Sequence, residues 1–145
     1  LGFKRMLQYL EDMNIDEEII IQSGNTEFSS NKYKVIPFLS PKEFNEYMNK
    51  SDLIITHGGV GSILTGLRYK KKVVTMPRLS KYNEHNDDHQ LEICEKLSKE
   101  GYTINCTDFD SLKNAINDYK EIELKEYVFD NSKLINFITD TIDNL

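Results

Sequence analysis

Hydrophobic positions along this chain fall into two alternating rhythms. Phe3, Met6, Leu7 and Leu10 lie at helical spacing near the start. Glu18 to Gln22 then holds three consecutive isoleucines, the pattern of a strand buried on both faces. Ser23-Gly24-Asn25 breaks it, and Tyr33 to Phe38 reads as a second strand closed around Pro37. Ser40-Pro41 predicts a helix start, because Ser can cap the free amides and Pro fits the first turn. That helix carries Phe44, Tyr47 and Met48 on one side. Asp52 to Thr56 is the most hydrophobic strand and runs directly into His57-Gly58-Gly59-Val60-Gly61-Ser62.

The alternation continues to the end of the chain. A helix is expected from about Ser62 to Tyr69, and a strand from Lys72 to Met76. Pro77 to Asn86 is polar and irregular. Asp87 to Glu100 is predicted as a helix with Leu91, Cys94 and Leu97 inward and Gly101 as its stop. A short strand over Tyr102 to Asn105 follows, then a helix capped by Thr107 or Asp108 and running through Ile116. Tyr119 to Asp130 has no clear rhythm and reads as a loop crossing the surface. A last helix is expected from about Ser132 to Ile142. Strands alternating with helices predict right-handed βαβ units, hence an α/β fold with a Rossmann-like parallel sheet and helices on both faces.

Composition narrows this picture. A chain of 145 residues suits one compact domain. With 39% hydrophobic and 29% charged residues it can bury a core and is not a disordered chain. The formal charge of −6 excludes an unassisted nucleic-acid binder, which would show a basic face. Two cysteines, Cys94 and Cys106, fit reduced thiols in a cytosolic protein better than a disulfide scaffold or metal cluster. Apolar runs such as Leu53-Ile54-Ile55 are too short to span a bilayer, and no signal peptide is visible. Membrane association is therefore expected only through a patch or a partner. The basic run Arg68, Lys70, Lys71, Lys72 is either such a patch or the solvated end of a helix.

Ligands of open parallel sheets bind at the carboxyl ends of the strands. The turn after Thr56 belongs there. Its glycines allow close approach, or positive φ where needed, and the next helix points free N–H groups at the same spot. Ser62 adds a hydroxyl, so a nucleotide diphosphate is the expected ligand. The turn is neither dinucleotide fingerprint nor P-loop. Leu64 stands where the third glycine of the first would be, and no Gly-Lys-Ser/Thr ends it. His57 is a diphosphate hydrogen-bond donor or a general base in this reading, and equally an ordinary turn residue.

A second polar cluster runs from Pro77 to Gln90. Glu84, Asp88 and Gln90 can hydrogen-bond sugar hydroxyls, and Arg78 can pair with phosphate in a fork. A solvated loop whose Asn86 or Asp87 caps the next helix is the equal alternative. His85 and His89 lie four apart, but no HExxH arrangement or nearby cysteine pair accompanies them, so no metal is expected.

Together the two clusters carry a family resemblance. Asp52 to Ser62 resembles the donor-site signature of glycosyltransferase family 28, the carboxyl-terminal half of MurG-like enzymes. It also resembles the catalytic subunit of the eukaryotic two-subunit GlcNAc transferase acting on dolichol diphosphate. Pro77-Arg78, Lys81-Tyr82, Glu84-His85 and Asp88-His89-Gln90 are similar to PssE/EpsF-like subunits of exopolysaccharide and capsule synthesis. The resemblance covers about Phe3 to Ile104. It implies a GT-B donor half that holds a UDP-sugar as substrate, with no cofactor and no metal. It places the backbone around Phe38 against the uracil, and Gly59, Gly61 and Ser62 on the diphosphate, with His57, Gly58 and Arg78 close by. Asp88, His89 and Gln90 reach the donor sugar, with Glu84 and His85 as neighbours. Two departures stand out. Thr65 occupies the place of the acidic residue that MurG-like enzymes set on the ribose. The chain also begins at Leu1-Gly2, close to its first helix, where relatives have a strand and a Gly-Thr turn, so a sheet without its central member is expected.

The resemblance implies inverting transfer of a hexose to an acceptor on a polyprenyl diphosphate. A PssD-like membrane-associated partner supplies the acceptor half and the general base, and holds this chain at the inner face of the membrane. A homodimer is the other way to cover the open face of a single GT-B half. The competing reading is a non-catalytic accessory subunit that stabilises or activates a partner transferase. A UDP-sugar epimerase of GT-B architecture needs two such halves, for which this length has no room.

Overall fold

The computed structural model describes residues 3–57, 59–84 and 88–129. The last helix expected from the sequence lies outside them. The described chain is α/β and divides into two compact units between Ser51 and Asp52.

In the first unit, helix α1 (Lys4–Asp12) leads to strands β1 (Ile20–Gln22) and β2 (Lys34–Ile36), paired in parallel with Ile21 opposite Val35. Phe3, Leu7, Leu10, Met13, Ile21 and Tyr33 are buried. α1 has no glycine stop, so its last carbonyls need donors from elsewhere. Tyr33 supplies one: its hydroxyl donates to the Leu10 carbonyl at 3.0 Å. Lys32 supplies another, its ammonium donating to the Glu11 carbonyl at 2.6 Å. Helix α2 (Pro41–Lys50) starts as its sequence predicts. Ser40 accepts from the Glu43 amide, Glu43 reaches back to the Ser40 amide, and Pro41 sits in the first turn. Both strands are shorter than their isoleucine- and tyrosine-led runs suggested.

The second unit contains a three-stranded parallel sheet in the order β3 (Leu53–Thr56), β4 (Lys72–Thr75), β5 (Ile104–Asn105). Among the described residues β1 and β3 are each paired to one strand only. Helix α3 (Val60–Arg68) links β3 to β4, and α4 (His89–Lys99) precedes β5. Val73, Val74 and Thr75 of the central strand are fully buried. Ile63 and Leu67 of α3 pack with Val73 and with Cys94 and Leu97 of α4. Gly66 lets α3 lie this close to the sheet, for a Cβ there would stand 2.7 Å from a Val73 methyl. In dinucleotide folds the third fingerprint glycine provides such close packing. Here it is provided by Gly66, two residues beyond Leu64.

Helix α5 (Phe109–Asp118) is capped by Asp108, whose carboxylate accepts from the Ser111 amide at 2.8 Å. A single 3-10 turn, Tyr119–Glu121, follows. Gly101 ends α4 at φ +90°, with the Tyr102 amide returning to the Leu97 carbonyl. The segment from Ile122 to Phe129 is a strap over the helices. Tyr127 and Phe129 pack on the α3–α4 core, and Tyr127 meets both Tyr102 and Phe129 edge-on at 5.0 Å. Residues of the basic run hold it. Lys72 donates to the carbonyls of Tyr119 and Ile122, both at 2.7 Å. Lys70 meets Glu126, and the Arg68 guanidinium lies 4.6 Å over the Phe129 ring. Lys72 of the run is thus tied within the chain, while Arg68 and Lys70 stay exposed.

Boundaries in the second unit shift from expectation as well. α3 begins at Val60, because the extended Gly59 serves as its N-cap and its carbonyl accepts from Ile63. α4 begins at His89, because the carboxylate of its N-cap Asp88 is taken by the Ser80 amide. β5 is only two residues long.

Candidate active site

The strand ends of the second unit bring two segments to one edge. The Met76 amide donates to the Thr56 carbonyl and the Cys106 amide to the Thr75 carbonyl, both at 2.8 Å, so the three strands finish level. The Gly turn leaves this edge after β3, and the segment from Pro77 leaves it after β4.

The turn is built for backbone approach. Gly59 is extended at φ −64°, and the positive-φ glycines among the described residues are Gly24 and Gly101. Gly59 is therefore needed for room: the His57 ring lies over it, 3.2 Å from the place of a Cβ. Gly61 is exposed and a Cβ there would meet open space. The first turn of α3 carries no acidic side chain, and its N-cap has no side chain to spend on the amides. Those N–H groups and the positive end of the helix dipole suit an anion. Ser62 is exposed beside them. Thr65 is half-buried and its hydroxyl turns back to the Gly61 carbonyl at 2.8 Å.

The second segment is laced by side-chain oxygens. Gln90 Oε1 accepts from both the backbone and Nε of Arg78 at 3.3 Å. Glu84 Oε1 accepts from the Leu79 amide at 3.1 Å. Asp88 Oδ1 accepts from the Ser80 amide at 2.9 Å. A short 3-10 turn, Ser80–Tyr82, is closed by Asn83 in the left-handed region at φ 56°. Tyr82 is exposed under the Lys81 ammonium, and His89 lies 3.5 Å from Glu92. Among the described residues no group of three or more His, Cys, Asp or Glu is placed to hold a metal ion.

Residues 4–145 match the glycosyltransferase family 28 C-terminal domain. The chain belongs to this family. Its fold, parallel sheets flanked by helices, is of the GT-B C-terminal type. A solution NMR structure of ALG13 is similar, with a TM-score of 0.50 and 32% identity, covering 70% of this chain and 50% of that one. The chain is 27% identical over 132 residues to the UDP-N-acetylglucosamine transferase subunit ALG13 of Debaryomyces hansenii, covering 83% of this chain and 57% of that protein. The human subunit of the same name is 30% identical over 106 residues, covering 70% of this chain and 9% of that protein. The Candida albicans subunit is 31% identical over 77 residues, covering 53% of this chain and 25% of that protein. The chain thus spans a part, often a small part, of the relatives it matches.

The family 28 residues expected from the sequence are distributed unevenly. His57, Gly59, Gly61, Ser62, Thr65, Arg78, Glu84, Asp88, His89 and Gln90 lie on the two segments leaving one sheet edge. Gly58 and His85 lie outside the described residues. Phe38 belongs to the first unit, beyond the end of β2, and is 65% exposed. Gly66 was not singled out in the sequence, because an ordinary glycine within a helical run signals nothing of the strand beneath it. Asn105 was also missed. It ends β5 and accepts at 2.9 Å from the fully buried Thr75 hydroxyl, a pairing that two polar residues thirty apart do not reveal in sequence.

Proposed function

We propose that this chain is the donor-binding half of an inverting glycosyltransferase and holds a UDP-sugar at the edge formed by β3 and β4. The observation that carries this is the first turn of α3: amides with no side-chain cap, no competing acidic group, and open space above Gly61. In the reaction the acceptor hydroxyl attacks the anomeric carbon from the face opposite the diphosphate. The glycosidic bond to UDP breaks, its electrons go to the diphosphate, and the configuration inverts. The α3 amides and the Arg78 guanidinium stabilise that developing charge, as preorganised donors do for a departing anion. The general base belongs to a partner that supplies the acceptor half. The sugar nucleotide and the subunit character are supported by the names of the relatives. Transfer of a hexose to a polyprenyl-diphosphate-linked acceptor, a role in exopolysaccharide or capsule synthesis and a PssD-like membrane-associated partner rest on the Pro77–Gln90 motif. Among the described residues no helix is long and apolar enough to cross a membrane.

Calorimetry with UDP tests the proposal. Micromolar to sub-millimolar binding is expected, and no binding up to millimolar UDP refutes it. Gly61→Leu sharpens the test. Its side chain enters open space, so folding is kept while the diphosphate position is filled, and UDP binding should disappear without loss of Tm.

One observation favours a second reading, an accessory subunit that activates a partner without binding donor. The Thr65 hydroxyl is spent on the Gly61 carbonyl and does not replace the ribose-binding carboxylate of MurG-like enzymes. Under that reading Gly61→Leu leaves transfer by the partner complex unchanged.

A further inference from the structure

The side-chain oxygens expected to meet the sugar are largely occupied within the chain. Three successive backbone amides, those of Arg78, Leu79 and Ser80, are each taken by one residue further on: Gln90, Glu84 and Asp88. Leu79 is extended at φ −119°, ψ 140°, which turns its own amide and that of Ser80 to opposite sides. Asp88 and Gln90 therefore tie the segment to the start of α4, while Glu84 ties it from within its own loop. The Glu84 tie is double. Its carboxylate accepts from the Leu79 amide, and its own amide donates to the Leu79 carbonyl at 3.2 Å. Glu84 is only 5% exposed and the Leu79 side chain is likewise buried. Between them stands the exposed turn of Ser80, Lys81 and Tyr82, closed by Asn83 in the left-handed conformation that Asn accepts more readily than most non-glycine residues.

We infer that Glu84 is a positioning residue for recognition of the donor sugar: its buried carboxylate fixes the loop from Leu79 to Glu84 and so, through the Ser80 amide, the placing of Asp88 against the sugar. The inference rests on the donor-site proposal above and assigns a separate part of it. The diphosphate sits on the β3–α3 turn, and Arg78 is held by Gln90 through both its amide and its Nε, so losing Glu84 should weaken sugar recognition and spare UDP. Truncation leaves the Leu79 amide buried without its acceptor, and the loop must open to hydrate it.

Calorimetry of the full chain with UDP and with UDP-GlcNAc, on the unmodified protein, Glu84→Ala and Glu84→Gln, tests this. UDP affinity should stay within twofold in all three. The preference for UDP-GlcNAc over UDP should fall about tenfold in Glu84→Ala, roughly the loss of one buried hydrogen bond to a charged acceptor. It should be retained in Glu84→Gln, whose amide oxygen still accepts from Leu79. Hydrogen exchange at the Leu79 amide supplies a readout free of ligand: protected in the unmodified chain and Glu84→Gln, at least tenfold faster in Glu84→Ala. If Glu84→Ala fails to fold, Glu84→Asp, which withdraws the acceptor by one methylene, takes its place with the same expectations. No UDP binding by the unmodified chain overturns the donor-site proposal together with this one. Intact UDP binding with an unchanged or absent sugar preference, an equal loss for both ligands, or Leu79 exchange indifferent to residue 84, overturns the role of Glu84 alone.

Discussion

Gly66→Ala is the smallest change that tests how α3 is held against the sheet. The added methyl would sit 2.7 Å from a methyl of Val73 and 3.8 Å from two carbons of Ile54. Carbon atoms rest at about 3.5–4.0 Å, so the helix or the strand must give by about an ångström. Val73 is fully buried in the central strand and its neighbours on α3 and α4 are buried too, so neither side can turn away into solvent. Overpacking costs about 1–3 kcal/mol, and with a 2.7 Å contact buried on both sides the upper part of that range, about 2–3 kcal/mol, applies here. Replacing a mid-helix glycine by alanine favours the helix by about 1 kcal/mol, which offsets part of that cost. The expected net loss is about 1–2 kcal/mol, a fall in Tm of roughly 3–8 °C for a chain of this size. Urea unfolding followed by circular dichroism measures it, with an unchanged slope showing that the unfolded state is not the cause. Val73→Ala removes the methyl that is struck. The two substitutions together should therefore destabilise by at least about 1 kcal/mol less than the sum of their separate effects. An alanine variant as stable as the unmodified protein, or strictly additive behaviour with Val73→Ala, would refute the close-approach argument. Because the first turn of α3 moves with the helix, UDP affinity should also fall in Gly66→Ala at temperatures where the variant is fully folded.

Two further outcomes follow from the same coordinates. Lys72→Met keeps the apolar stem but withdraws the ammonium from the carbonyls of Tyr119 and Ile122; a loss of about 1–2 kcal/mol is expected, with faster hydrogen exchange at the Lys125 amide that donates to Gly101. Burial pushes the thiols of Cys94 and Cys106 up to about 11, so alkylation of the native chain should stay slow through pH 9 while both react once it is unfolded in urea. The folded chain holds these protons to a higher pH than the unfolded one, so their contribution to stability is intact below about pH 9 and is lost as the pH rises towards about 11.

What could be read from the order of residues is what neighbours in the chain decide. The cap formed by Ser40, Pro41 and Glu43 rests on contacts three residues apart, and so does the stop at Gly101. The apolar run of β4 announces a buried parallel strand because few other structures can bury such a short, uninterrupted stretch, whereas Leu53, Ile54 and Ile55 of β3 are only half-buried. The glycine turn between Thr56 and Ser62 makes an anion site the expectation, through its place after a strand and before a helix, and its spacing together with the Pro77–Gln90 motif points to family 28. Tertiary structure alone decided the rest. Glu84, Asp88 and Gln90 carry oxygens suited equally to a sugar or to an amide; only the folded path of the loop assigns one oxygen of each to Leu79, Ser80 and Arg78. Gly66 matters through a strand seven residues away, and the basic run after α3 matters through a strap about fifty residues away. Such pairings depend on which surfaces meet when helices settle on a sheet. That is a property of distance in space, which a one-dimensional pattern of polar and apolar residues does not encode.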